Sequence, residues 1–274
     1  MSDTWLMTNL RAVKGRAYPR VIGASREPSW IFFEVALPLL TVAAYAYIYK
    51  FMDAPAAFIG FVILGGAMTA FWLNVLWGMA SQLYWEKETG NLQLYMMAPI
   101  SRMSLLAGMA VGGLIGTTMR AAATMIIGIG VFSITLDLSE PLMLVVVFMV
   151  TMIALYGMGM MFASLYLLLG REAWHMSNLM TEPIYLASGF YFPVKALGAY
   201  AAVGASVIPI TLGLDALRQL FYPATSGEYG FLPIEVELLI LAGLCVMFLI
   251  LSKLSLDYME KLGKRTGRLT LRWQ

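Results

Sequence analysis

The chain has 274 residues, of which 60% are hydrophobic and only 12% charged. Soluble domains carry about 25% charged residues, so this composition excludes an ordinary soluble fold and assigns most of the chain to lipid. A formal net charge of +2 gives no footprint for nucleic acid, one cysteine excludes a disulfide framework, and one histidine leaves no second ligand for a histidine metal site.

In chain order, residues 1–28 form a basic segment with no cleavable leader. Within it, residues 3–18 mix Trp5, Leu6, Met7, Leu10 and Val13 with Arg11, Lys14 and Arg16, which predicts an amphipathic helix in the cytoplasmic interface, broken near Pro19. A bilayer crossing needs about 20 mostly apolar residues. Six stretches qualify, at 29–49, 57–84, 103–134, 142–169, 173–192 and 235–254. The expected architecture is an all-α membrane protein: a single domain over 1–274, with a six-helix membrane region at 29–254 and a basic tail at 255–274. The second, third and fourth stretches are longer than a bilayer requires, so they tilt or project.

Residues 193–233, between the fifth and sixth stretches, are apolar but divided by Pro193, Pro209 and Pro223, and they carry Lys195, Asp215 and Arg218. A helical hairpin would preserve the topology. Each piece is short, and the preferred expectation is a pair of half-length helices re-entering the outer leaflet, where protein covers the broken backbone.

Lysine and arginine set the orientation. Arg11, Lys14, Arg16, Arg20 and Arg26 precede the first stretch, and Lys253, Lys261, Lys264, Arg265, Arg268 and Arg272 follow the last. Lys87, Arg102 and Arg171 flank the loops on the same side, whereas the opposite side holds Lys50, Lys195 and Arg218 with an acidic loop at 137–140. Both termini are therefore expected in the cytoplasm of a multi-pass cell-membrane protein.

Catalytic chemistry is not apparent. His175 lies near the start of the fifth stretch, three residues after Glu172, and reads as an interfacial histidine rather than a metal ligand. The only Gly-Lys pair, Gly263-Lys264, lacks the rest of a phosphate-binding loop. The chain is not expected to be an enzyme, nor to bind a cofactor or metal itself. What stands out is a charged interruption after the second stretch, Trp85-Glu86-Lys87-Glu88-Thr89-Gly90-Asn91-Leu92, running on to Pro99-Ile100-Ser101-Arg102.

Four blocks carry a family resemblance. Glu86-Lys87-Glu88-x-Gly90-x-Leu92, followed by Pro99-x-Ser101-Arg102 and Leu105-Leu106-x-Gly108, resembles the cytoplasmic loop of the ABC-2 type permeases. Ser188-Gly189-x-x-Phe192-Pro193 is similar to that family's motif at the outer end of the fifth helix, and Pro209-x-Thr211-x-x-Leu214-Asp215-Ala216-Leu217-Arg218 to the stretch before the last helix. Arg26-Glu27-Pro28-Ser29-Trp30 with Pro38 is similar to its approach to the first helix. The resemblance implies the transmembrane permease subunit of an ATP-binding-cassette exporter of the drug, lipid and saccharide type. It also implies a second permease copy, identical or paralogous, and two separate ATPase subunits that hold ATP and Mg. The expected cargo is a hydrophobic or amphipathic drug or lipid. A lipid-linked saccharide or polysaccharide is the alternative cargo, and an ion-coupled secondary transporter the alternative class.

Three sets of residues follow. A short coupling helix over 85–94 is expected to lie in a groove of the ATPase, with Glu86 and Glu88 pairing with basic groups, Trp85, Leu92 and Leu94 anchoring, Lys87 between the acids, and Gly90 permitting a close approach or a turn. Ionisable residues inside the membrane are functional candidates. Arg120 is expected to pair with Glu182, or alternatively with Glu34, as a structural tie before a substrate contact. Along the second and fifth stretches, Asn74, Met180, Tyr185 and Phe190 are candidates for the transport path; the 21 methionines read as membrane filler, and Gly112, Gly113, Gly116, Gly157 and Gly159 as sites of close helix approach.

Overall fold

A computed structural model describes residues 4–26, 28–169 and 172–266. Glu27, Arg171, Arg268 and Arg272, which entered the expectations above, lie outside the described residues. The described residues are helical, with no strand among them.

Helix α1 (Trp5–Arg26) runs through Pro19 instead of breaking there. The reason is its bed on α6 (Arg102–Phe132). A Cβ on Gly108 would sit 2.7 Å from the Val13 carbonyl oxygen, and one on Gly112 would sit 2.9 Å from that of Ala17 and 3.1 Å from Arg20 Cβ. Backbone contact before the proline, at Val13 and Ala17, and the Arg20 Cβ just after it hold α1 against α6. Asn9 adds a clamp: its Oδ1 accepts from the Ser101 amide (2.7 Å) and the Ser104 hydroxyl (3.0 Å) at the start of α6. Trp5, Leu6, Leu10 and Tyr18 face outward.

Helix α2 (Pro28–Phe51) is followed by α3 (Ala56–Leu73), a π-helical segment (Asn74–Ala80) and α4 (Gln82–Glu88). These last three join into one 33-residue helical span, Ala56–Glu88. At 1.5 Å per residue it is roughly 50 Å long, well beyond a hydrocarbon core of about 30 Å. Helix α5 (Asn91–Met97) lies ahead of α6, and α7 (Pro141–Leu169) packs against most of the bundle. Phe71, Trp72, Met79, Leu106, Met109, Met152 and Leu155, all fully buried or nearly so, fill the core between α3, α6 and α7. Gly112 and Gly159 serve close helix contact as expected, whereas a Cβ on Gly116 would meet nothing within 4 Å.

Helix α8 (Glu172–Ala187) departs from the expected fifth crossing at 173–192. Its 16 residues extend roughly 24 Å, short of a bilayer core. The chain leaves the helix at Gly189, whose φ of 62° is left-handed and whose substitution would drive a Cβ to 2.8 Å from the Phe192 carbonyl. A 3₁₀ turn (Val194–Leu197) then leads to α9 (Ala199–Ala205) and α10 (Pro209–Phe221), which are bent by 112° from one another at the predicted Pro209 break. After α11 (Pro223–Tyr229), α12 (Ile234–Thr266) runs well past residue 254 into the basic tail. Among the described residues, five helices are long and apolar enough to cross a membrane, six if the bent α9–α10 pair counts as one span.

Candidate functional site

Polar groups gather at three levels of the bundle. On the side of the charged interruption, the expected single helix over 85–94 is two helices, α4 and α5, with Gly90 at the corner (φ 81°). Only a residue tolerant of the left-handed region makes that corner without strain. Glu86 does not point away from the protein. It is 5% exposed, forms an ion pair with Arg16 of α1, and accepts a 3.0 Å bond from Gln82. Arg16 also donates to the Tyr95 hydroxyl (3.0 Å) and stacks over that ring. Lys87 and Leu92 are buried as well, and Glu88 is half-buried. What the corner exposes is apolar: Trp85, Leu94 and Met97, interleaved with Thr89, Asn91 and Gln93. Nearby, Arg102 and Glu260 tie the start of α6 to the far end of α12.

At mid-depth, Arg120 of α6 forms its ion pair with Glu34 of α2, not with Glu182. The first-choice partner is excluded by placement, because α2 packs on α6 while Glu182 sits on the exposed side of α8 with His175. Arg120 also donates to the Thr117 hydroxyl (2.9 Å). Of the path candidates, Asn74 accepts a 3.0 Å bond from the Tyr156 hydroxyl and lines a cavity of about 620 Å³ together with Arg20, Glu34, Trp77, Gly116 and Arg120. Met180 and Tyr185 are partly buried, and Phe190 is wholly buried with its ring edge-on to Tyr185, so it belongs to the core and not to a path surface.

Arg20, counted in the sequence only as a cytoplasmic charge, proves to be part of this level. It donates to the Gly78 carbonyl in the π-helical segment. Burial first, and then the neighbouring Arg16 guanidinium, pull its pKa down to about 10, so it remains protonated at neutral pH. The signal for it was present in Arg16 and Arg20, one helical turn apart and both aimed at the glycine-rich side of α6.

At the third level, the block from Ser188 to Arg218 closes on one side chain. Arg218, 3% exposed, donates to four backbone carbonyls: Gly189 (2.8 Å), Phe190 (2.8 Å), Phe192 (3.0 Å) and Phe61 (3.1 Å). Its guanidinium also lies 5.3 Å from the centre of the Phe61 ring. Three of these bonds satisfy carbonyls left open where α8 ends, as non-helical backbone in an apolar setting requires, and the fourth ties that segment to α3. Ser188 and Pro193 are buried beside it. Asp215, one turn before Arg218, accepts from Gln219 (3.0 Å) and the Phe231 amide (2.8 Å). The same Gln219 amide reaches Glu237 of α12 (3.4 Å) and the Leu232 carbonyl (2.8 Å). Pro209 opens α10 at its first turn, the position that needs no amide donor.

An all-helical bundle with five or six candidate crossings among the described residues, tied at each level by arginines, defines a multi-pass membrane protein. The chain belongs to the ABC-2 type transporter family, whose sequence pattern matches residues 20–222. No curated protein matches it. Membership makes it the transmembrane permease component of an ABC transporter, with ATP hydrolysis on separate subunits. The ion-coupled alternative gives way to that assignment.

Proposed function

We propose that the chain is one half of an ATP-driven exporter, in which a second permease copy completes the membrane pathway and two ATPase subunits dock on the α4–α5 corner. Both termini lie in the cytoplasm, α1 lies along the cytoplasmic part of α6, and the cargo is a hydrophobic or amphipathic molecule moved outward. The observation that carries the docking role is the exposed apolar edge of Trp85, Leu94 and Met97 beside the end of a 33-residue helical span. Family membership supplies a soluble partner for that edge. A push on α4 would travel along one continuous element into the core, the kind of rigid part that transmission needs. In this reading the acids are not the grip. Glu86 holds α1 to α4, so that α1 moves with the corner, and the apolar edge makes the contact.

The test is the double substitution Trp85→Glu with Leu94→Glu, co-expressed with the ATPase subunit. Interface anchors of this kind contribute about 2 kcal/mol each, so losing both weakens docking roughly a thousandfold. The ATPase subunit should no longer co-purify, while the permease still inserts in the membrane at ordinary levels. Undiminished co-purification would refute the docking surface.

A further inference from the structure

The cavity beside Arg20 is built unlike a packing defect. Its volume of about 620 Å³ falls within the range of roughly 300–1,000 Å³ typical of small-ligand sites. One wall is α6, where Gly112 and Gly113 are pressed against Ala17 and Asn74 but Gly116 faces open space. The opposite wall is α2, with Phe33 and Leu37, both more than half exposed, at the rim. The polar end is formed by Arg20 and by Asn74 and Gly78 of the π-helical segment, with the Arg120–Glu34 pair alongside.

Charge is unbalanced at that polar end. Three guanidinium groups, those of Arg16, Arg20 and Arg120, stand against two carboxylates, Glu34 and Glu86. Both carboxylates are taken, one by Arg16 and one by Arg120. Arg20 is left with a carbonyl as its acceptor, and its Nη1, although buried, has no hydrogen-bond partner among the described residues. A buried cationic donor without a partner costs about 1–3 kcal/mol or more, and a native structure rarely leaves one without a purpose.

We propose that this cavity binds the phosphate headgroup of an anionic membrane lipid, with Arg20 turning its unpartnered Nη1 into the cavity as the phosphate contact and the acyl chains lying along Phe33 and Leu37 toward the bilayer. Arginine suits a phosphate because its planar fork can donate two parallel bonds. Basic pockets between membrane helices take anionic headgroups by this logic. The apolar rim distinguishes a lipid from a free anion: Phe33 and Leu37 lie on a helix long and apolar enough to cross the membrane, so the cavity opens toward acyl chains and not toward water. The site lies within one subunit, between α1, α2, α3 and α6, and so does not require a second copy to be complete.

The experiment uses the full chain, purified in neutral detergent, and counts retained lipid by native mass spectrometry during titration with phosphatidic acid, phosphatidylcholine or diacylglycerol. Phosphatidic acid should bind at least about tenfold more tightly than either of the others, the worth of one charge-assisted contact. Arg20→Gln should remove that preference and Arg20→Lys should restore part of it. Because Arg20 also ties α1 to α3, a second variant guards against simple misfolding. Gly116→Leu extends only into the open space of the cavity, so it should weaken phosphatidic acid about tenfold while leaving thermal stability unchanged. Lys14→Gln, on the exposed face of α1, should have no effect. Equal retention of the three lipids, or a preference that survives both Arg20→Gln and Gly116→Leu, overturns the site. Displacement of phosphatidic acid by equimolar glycerol 3-phosphate overturns the lipid assignment in favour of a soluble anion. The measurement needs neither ATPase nor transport, so its outcome is separate from that of the exporter reading.

Discussion

Replacing Arg218 with methionine is the sharpest test of how the outer end is held. Methionine has similar length and packs readily in apolar surroundings, so the substitution removes the donors with little change in volume. Four bonds are lost at once, and three carbonyls, those of Gly189, Phe190 and Phe192, lose their partner, while Phe61 keeps its place in the α3 ladder. A hydrogen bond to a charged group contributes about 1.5–3 kcal/mol, which gives roughly 6–12 kcal/mol in gross terms. Removing the guanidinium also removes the large desolvation penalty of a residue only 3% exposed. The balance is a loss of about 3–5 kcal/mol, the usual range when one side of a buried charged interaction is deleted. For a chain of this size that corresponds to roughly 10 °C in the unfolding midpoint. Differential scanning fluorimetry in detergent reads the midpoint, and hydrogen exchange should show protection lost first over 188–198. Gly65→Ala tests the same node from the other side, because its added methyl would fall on the Phe190 carbonyl. It should loosen the same segment with Arg218 intact. A midpoint within about 2 °C of the parent for Arg218→Met, with 188–198 still protected, would refute the idea that this side chain holds the re-entrant backbone.

Two further outcomes follow from the ties on α6 and α12. Arg120→Ala and Glu34→Gln should be non-additive by at least about 1 kcal/mol in a double-mutant thermal cycle, whereas Arg120→Ala with Glu182→Gln should add within about 0.5 kcal/mol; the reverse pattern would restore Glu182 as the partner. Gln219→Leu leaves the buried carboxylates of Asp215 and Glu237 without their shared amide donor and should cost about 2–3 kcal/mol, read as a lowered unfolding midpoint; a neutral result would mean that Gln219 does not hold α10 to α12.

The crossings were legible because lipid imposes a length rule, and Ala56–Glu88, Arg102–Phe132 and Ile234–Leu262 each contain their predicted apolar run nearly whole. Pro209 was legible because it falls between two short apolar pieces, where a missing amide costs nothing at the first turn of α10, whereas α1 runs through Pro19. The end of α8 was not. Hydropathy runs smoothly from Ala187 to Phe192, and what stops the helix is Gly189 together with a guanidinium 29 residues away. Arg120 failed differently. Depth along two helices can be counted from sequence, but the direction in which a side chain leaves its helix relative to a distant neighbour cannot, so Glu34 and Glu182 stayed open until α2 was seen on α6. Glu86 presented a third kind of difficulty. An acid-base-acid cluster beside a glycine reads as a surface for a partner, and only the fold shows that Arg16, 70 positions earlier, already occupies it.

These ties share one beneficiary. The α3–α4 span is gripped near its outer end by Arg218 through the Phe61 carbonyl and near its other end by Arg16 through Glu86. Between those grips lies its one irregular stretch, the π-helical segment Asn74–Ala80, where Arg20 takes the Gly78 carbonyl. A rod fixed at both ends accommodates displacement at its least regular part, and the π-helical turns are that part because a change in their winding alters the length and rotation of the helix between the two grips. Asn74, Trp77 and Gly78 of that segment also line the cavity. Whatever occupies the cavity therefore touches the point at which movement of the α4–α5 corner must be absorbed. If the occupant favours one winding of that segment over the other, it biases the corner's position by the difference in its affinity for the two and by no more than that. Filling the cavity with Gly116→Leu should in that case change the ATPase rate of an assembled complex even though residue 116 touches neither nucleotide nor the docking edge.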